Sequence, residues 1–320
     1  MTAPSVSVTD SPAVGMPSPG APRAEAAWRR RDRRWGYVFV APQMIGMALF
    51  VLVPFIAAVV LAFAQWDGLT PLTWIGFDNF RTELTDPLFG RALINTMLIA
   101  LITVPIGLGL AVVIAVALER LKTRTLYLAL FFAPVITSSI AVAMIWQQLF
   151  RKDGVLSHAI ATIFHVPAPD WLGDPHLALL AVCIVTIWSS LGLNVVIFLA
   201  GLQNISPSVI EAARIDGAGA IALFFRVRLP LLSPVLFFSS IIAFISSLQT
   251  FDIVFVLVAN AGPDNATRTI VYHIYDLGFG KTQFGVASAA SILLLILTLV
   301  ITAIQFGFQK RFVHYEDAAA

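Results

Sequence analysis

Residues Leu177–Leu202 read LALLAVCIVTIWSSLGLNVVIFLAGL, 26 positions without an Asp, Glu, Lys, Arg or His. As a helix this stretch is about 39 Å long at 1.5 Å per residue, more than the roughly 30 Å of hydrocarbon in a bilayer. Five more stretches lack Lys, Arg and His: Tyr37–Ala64, Ala92–Leu118, Leu126–Leu149, Pro234–Val258 and Gly285–Phe308. The whole chain of 320 residues is 58% hydrophobic and 12% charged, about half the charge of a soluble domain. The expected fold is therefore all-α: a polytopic membrane protein built on six transmembrane helices. The one cysteine, Cys183, excludes a disulfide scaffold, and a net charge of +2 gives no basic surface for nucleic acid.

The basic residues orient the bundle. With the N-terminus inside, the cytoplasmic side holds 14 of the 20 Lys and Arg, including Arg29, Arg30, Arg31, Arg33 and Arg34 in the tail and Arg214, Arg226 and Arg228 between spans four and five. The positive-inside rule then places both termini in the cytoplasm. Residues 1–36 form a cytoplasmic tail, of which 1–22 are Pro-, Ser-, Gly- and Ala-rich and expected to be disordered. Residues 37–308 form the membrane domain and 309–320 a second cytoplasmic tail. The first apolar run follows an Arg cluster as a signal peptide does, but it is about twice the 7–15 residues of a signal h-region.

Catalytic groupings are missing from the sequence. His158, His165, His176, His273 and His314 have no metal-ligand spacing. Gly280-Lys281-Thr282 has the end of a phosphate-binding loop, yet Tyr275 stands where its first glycine belongs. A non-catalytic chain without a cofactor of its own is expected. Asn265-Ala266-Thr267 is a formal glycosylation sequon in an outer loop, and Trp66, Trp74 and Trp171 suit a membrane interface.

The loop between spans four and five, residues 203–233, is the informative one. Ser206 can cap a helix with Pro207 at its first position, and Gly217 can end it in the left-handed conformation, so Pro207–Asp216 reads as a short helix. A second, Ala220–Arg228, should stop at Leu229-Pro230, because proline restricts the residue before it. Ala212 and Ala213 leave one side bare for close approach, flanked by Glu211 and Arg214. The residues alone fit a surface-lying hairpin as well as a docking element.

Glu211-Ala212-Ala213, three residues, Gly217, nine residues, then Val227-Arg228-Leu229-Pro230 resembles the E-A-A-x3-G-x9-I-x-L-P signature of permease subunits in binding-protein-dependent ABC importers. Val227 stands where isoleucine is usual. Gly76-Phe77-Asp78-Asn79-Phe80 is similar to the G-x-x-N-F element of the carbohydrate-type members. Phe251-Asp252, Ala261-Gly262-Pro263 and Thr267 resemble their F-D... G-G-P... T run, with Ala261 in place of a glycine. The resemblance, to the maltose and glycerol-phosphate type permeases, covers about residues 37–315. It implies a pore made with a second permease, two cytoplasmic ATPases that hold ATP and Mg, and an external solute-binding protein. It also implies a coupling role at the ATPase for Glu211, Ala212, Ala213, Asp216, Gly217, Leu229 and Pro230. The long outer loops and the F-D run read as one half of a heterodimer, so the expected second permease is non-identical.

Polar side chains in mid-membrane mark the expected solute path. Thr186, Ser190 and Asn194 fall on one face of span four, flanked by Leu193 and Ile197, and Ser239, Ser246, Gln249 and Thr250 form a similar stripe on span five. Serines and threonines also join helices or bond their own backbone, whereas the amides of Asn194 and Gln249 have up to four hydrogen bonds to satisfy. Asp252, the only Asp, Glu, Lys, Arg or His within the six spans, is either a ligand contact or a packing group. Hydroxyls and amides without embedded cations suit a neutral sugar or polyol. A self-sufficient secondary transporter is the rival reading, for which Asp252 is the one available intramembrane carboxylate.

Overall fold

The computed structural model describes residues 22–119 and 121–312, with side chains over 35–119 and 121–309. The expected tail residues 1–21 and 313–320 lie outside the described residues. Residues up to Ala57 and residues from Ala58 form two units. The first holds most of one helix, α1, which runs Pro22–Met47, widens into a π turn at Ala48–Leu52 and continues as Val53–Leu61. The helix thus begins inside the stretch read as tail, and it ends before Ala64.

The π turn has a local cause. Pro54 lacks an N–H, and its ring crowds the carbonyl four residues back, on Phe50. Shifting to the i→i−5 pattern, with Val53 N–H donating to the Ala48 carbonyl, opens that turn without breaking the helix.

The second unit opens with a two-stranded antiparallel hairpin, β1 (Ala64–Gln65) and β2 (Thr73–Trp74). At its turn the Asp67 carboxylate accepts from the Leu69 and Thr70 amides and the Thr70 hydroxyl, which lowers the Asp67 pKa to about 2. Helix α2 (Asp78–Thr85) follows. Asn79, of the G-x-x-N-F element, is buried and donates to the Ala62 and Ala64 carbonyls at 3.0 and 2.8 Å, so the element clamps the exit of the first span.

Two long helices, α3 (Pro87–Glu119) and α7 (Pro175–Gln203), form the spine. Val104, Leu108, Ala111, Ala115 and Leu118 recur at alternating four- and three-residue steps on α3. They pack on Leu191, Val195, Phe198 and Leu202, spaced the same way on α7. Asp174 caps α7 by accepting from the His176 and Leu177 amides, with Pro175 at the first helical position.

Spans three and five are broken. The expected continuous helix Leu126–Leu149 is instead α4 (Arg124–Ile136) and α5 (Ser139–Phe150), and the chain turns by 101° between 124–136 and 139–164. Pro134 and the extended Thr137-Ser138 pair account for the turn. A short helix α6 (Val155–Phe164) lies in the loop beyond.

The expected span Pro234–Val258 ends early. Helix α10 (Ser233–Leu248) stops where the Gln249 and Thr250 amides fold back onto the Ser246 and Ser247 carbonyls, and α11 (Asp252–Leu257) starts anew. Helices α12 (Ile270–Tyr275) and α13 (Phe284–Phe312) complete the chain. Among the described residues four helices are long and apolar enough to cross a bilayer, and the number reaches six when each of two bent pairs is one span.

At the crossing of α7 and α4, a Cβ on Gly192 would fall on the Phe131 carbonyl oxygen. We therefore expect Gly192→Ala to destabilise the bundle by about 1–3 kcal/mol. A melting temperature in detergent equal to that of the parent would refute this account of the crossing.

Candidate functional site

Three helices bring polar side chains to one place. Thr103 and Gly107 of α3, Thr186, Ser190 and Asn194 of α7, and Ser239 and Ser246 of α10 line a cavity of about 190 Å³, walled by Leu193 and Ile197. A second cavity, of about 330 Å³, shares Thr186, Ser190 and Ser246 with it and continues to Gln249, Thr250, Asp252 and Ser139. Every residue expected on the solute path thus lines one or both of two adjoining cavities. No Lys, Arg or His lines either.

Much of the hydroxyl chemistry is committed locally. Thr186 donates to the Val182 carbonyl, Ser190 to Ile187, and the Asn194 amide to Ser190 at 3.0 Å. These bonds leave oxygen lone pairs facing the cavity. Among the described residues four groups have more to offer: the Ser239 hydroxyl is buried with no protein partner, and the Ser246 and Thr250 hydroxyls and the exposed Gln249 amide make no side-chain hydrogen bond either. A buried hydroxyl left unpaired is destabilising by about 1–3 kcal/mol unless water or a solute meets it.

Asp252 does two things. It lines the second cavity, and its Oδ2 accepts a 2.6 Å bond from the Ser139 hydroxyl, joining the break in span five to the break in span three.

On another part of the molecule, α8 (Pro207–Ile215) and α9 (Ala220–Leu231) form the two-helix loop. Helix α8 ends with the Ala218 amide on the Ala213 carbonyl and the Gly217 amide on Arg214, while Gly217 adopts φ +83°. That pair of bonds is a Schellman closure, with glycine in its left-handed position as expected. Ser206 sits at the N-cap, but its hydroxyl pairs with that of Ser208 at 2.8 Å and makes no cap bond.

Helix α9 (Ala220–Leu231) differs from expectation. It passes through Pro230 to Leu231, and a 68° bend follows it. A π turn at Phe224–Arg228, with the Leu229 amide on the Phe224 carbonyl, precedes Pro230 at the same spacing as the π turn before Pro54 and makes room for the ring in the same way. Glu211, Ala212, Arg214 and Asp216 are exposed. Ile215, Ile221 and Phe225 are 87%, 77% and 60% exposed around the turn, an apolar patch of the kind that marks a partner surface. Sequence reasoning passed over these three, although apolar residues flanking a glycine turn in a polar loop were the available signal.

Residues 105–314 match the family of binding-protein-dependent transport system inner membrane components. The chain belongs to this family. It is the membrane-embedded, non-catalytic subunit of an ABC importer, a multi-pass inner-membrane protein that works with a binding protein. It is 35% identical to the probable ABC transporter permease protein YesP of Bacillus subtilis (strain 168), over 90% of this chain and 94% of that one. It is 33% identical to the lactose transport system permease protein LacF of Rhizobium radiobacter, over 85% and 92%. Its fold matches a solved bacterial ABC transporter involved in the import of the acidic polysaccharide alginate, with a TM-score of 0.79 and 24% identity over 90% of this chain and 100% of that one.

The permease carries a buried polar network that sequence reasoning missed. Asn95 of α3 donates to the Asn265 and Arg268 carbonyls, and the Thr96 hydroxyl accepts from the Ile270 amide, which ties loop 259–269 to span two. Arg268 pairs with Asp276 at 3.0 Å and donates to His273 Nδ1 at 2.9 Å. A guanidinium can only donate, so Nδ1 accepts and the His273 proton sits on Nε2, 2.8 Å from Glu83 Oε1.

Glu83, Asp86 and His273 are close enough to suggest a metal site, but the histidine nitrogen that would bind the ion carries this proton. In the same loop Ala261 adopts φ +60°, a left-handed conformation that favours glycine, the residue the G-G-P resemblance implies there. Only the scattered histidines and one Asn were visible in the sequence, and their pairing depends on contacts some 170 residues apart.

Thr269 links this network to the cavity. Its hydroxyl accepts from the Tyr272 amide, capping α12, and donates to the Thr250 carbonyl at 2.8 Å. Thr269→Val, isosteric but without the hydroxyl, should destabilise the loop by about 1–2 kcal/mol. Limited proteolysis should then cut faster within 259–284 than in the parent; an unchanged rate would mean that the bond does not hold the loop.

Proposed function

We propose that this permease forms one half of the pore of an ATP-driven importer of a neutral sugar or polyol. A second, non-identical permease completes the pore, and two cytoplasmic ATPase subunits, which carry the ATP and Mg, dock on α8. An external solute-binding protein delivers the sugar. Both termini lie in the cytoplasm, on the face that carries 14 of the 20 basic residues.

The observation that carries this reading is the coupling signature on an exposed, Schellman-closed helix. Glu211, Ala212 and Ala213 lie on α8, Asp216 and Gly217 close it, and Leu229 and Pro230 lie in the last turn of the second helix, before the bend into span five. Small side chains permit close approach, and Ile215, Ile221 and Phe225 supply apolar area for the ATPase surface. A rigid helix between two spans transmits a displacement into the bundle, as alternating access requires.

For the cargo, support comes from the cavity walls. Hydroxyls, two amides and one carboxylate, without a cation, match the hydroxyls of an uncharged sugar, and Ser239, Ser246, Gln249 and Thr250 are the groups with hydrogen bonds left to make. Lactose in the name of the Rhizobium relative agrees with this.

The test is reconstitution of the co-purified complex in liposomes with a panel of labelled sugars. Uptake should require internal ATP and the binding protein. Uptake driven by an ion gradient through this chain alone would overturn the reading.

Gly217→Val gives a sharper result. A Cβ there meets no atom within 4 Å, so its effect arises only from forcing a β-branched residue to φ +83°, a local strain of about 1–3 kcal/mol. Gly217→Val and Glu211→Lys should insert normally and lose ATP-driven uptake by roughly tenfold or more. Wild-type uptake in both would make the loop a passive surface hairpin.

A further inference from the structure

The coupling signature leaves position 228 unspecified, and here it holds Arg228, at the end of the π turn. Its side chain is 5% exposed, and its Nη2 lies 2.8 Å from Oε2 of Glu119, the last residue of α3. This joins a spine helix to the two-helix loop across 109 positions of sequence. The contact is one of charge alone, because Glu119 Oε2 and Arg228 Nε are both buried without a hydrogen-bond partner.

The pair lies in the wall of a cavity of about 330 Å³ whose other walls include Gln203 at the end of α7 and Pro207, Glu211 and Arg214 of α8. The helix proposed to meet the ATPase therefore closes over the pair. On the far side, α3 runs from Glu119 to Thr103, a distance of about 24 Å, and Thr103 and Gly107 line the polar cavity.

The surrounding backbone gives the pair something to control. Between α8 and α10 the chain has a glycine turn, a π turn and a 68° bend, each a place where it yields more readily than a regular helix. Without a tie, a push on α8 would be absorbed there. The ion pair fixes the end of the π turn, past the glycine turn and before the bend, to the rigid end of α3.

We infer that Glu119 and Arg228 are positioning residues for transport, carrying displacement of the coupling loop into span two and so to the wall of the solute cavity. The inference rests on the proposed ATP-driven function. It assigns roles to two residues outside the signature.

A purely structural ion pair would also matter for folding, since removing one partner leaves a buried charge. The test therefore removes both charges together. The full complex is placed in nanodiscs with Ser190→Cys in the cavity wall; the native Cys183 is buried. The thiol is titrated with the anionic reagent 2-sulfonatoethyl methanethiosulfonate, with and without Mg-ATP and orthovanadate.

With the native pair, the labelling rate should differ between the two states by about fivefold or more. In Glu119→Gln with Arg228→Met the difference should fall below about twofold, while the complex assembles and hydrolyses ATP. The exchanged pair, Glu119→Arg with Arg228→Glu, should recover most of it. A full difference in the neutral pair, failure of that pair to assemble, or no recovery on exchange would overturn the inference. No difference with the native pair would instead remove the ATP-driven reading, and this inference with it.

Discussion

In hydrocarbon, an amide or carbonyl without a partner is destabilising by several kcal/mol, so non-helical backbone at membrane depth survives only where it is buried in protein or lines a cavity. This chain interrupts two spans, and the interruptions supply one another's partners. Ser139, at the break in span three, donates to Asp252 at the break in span five. Gln147 of α5 donates to the Val256 and Leu257 carbonyls at the end of α11. Thr269 reaches the Thr250 carbonyl released when α10 stops. The polar cavities lie beside these breaks because that is where unpaired polar backbone and side chains can be accommodated together.

Against this scaffold of breaks, α3 and α7 are continuous. Their alternating four- and three-residue seams give a packed core from Val104 to Leu118. One spine helix contributes to both ends of the molecule: Asn95 and Thr96 hold loop 259–269, and Glu119 meets Arg228. A change in its tilt is felt in the loop, in the cavity and beside the two-helix element at once, since close-packed interiors transmit strain rather than absorb it.

The sequence made the spans legible because charge is nearly absent from them, and the polar stripe of span four and Gly217 followed from helical periodicity and from the conformational freedom of glycine. The interruptions were harder. Gln249 and Thr250 read as members of a polar stripe, and they are, but the same residues also end the helix, which periodicity does not register. Pro134 with Thr137-Ser138 carried a breaking signal hidden within a hydropathy window. Pro230 misled in the other direction, because a π turn let the helix continue through it. The Glu119–Arg228 ion pair and the Glu83–His273 contact are set by tertiary structure and had no local signature at all.

The single bond between the Thr269 hydroxyl and the Thr250 carbonyl has a kinetic meaning. A hydrogen bond of this kind is worth a net 1 kcal/mol or so, which changes the balance between two conformations by only about fivefold. Loop 259–284 is held to the cavity rim by a fastening that thermal motion releases often. Such a rim responds to a modest push from a docked surface and closes again when the surface leaves, without stored strain to dissipate. Tight closure between transport cycles must then come from several such contacts acting together, Asn95 and Thr96 among them, so that no one side chain sets the leak rate.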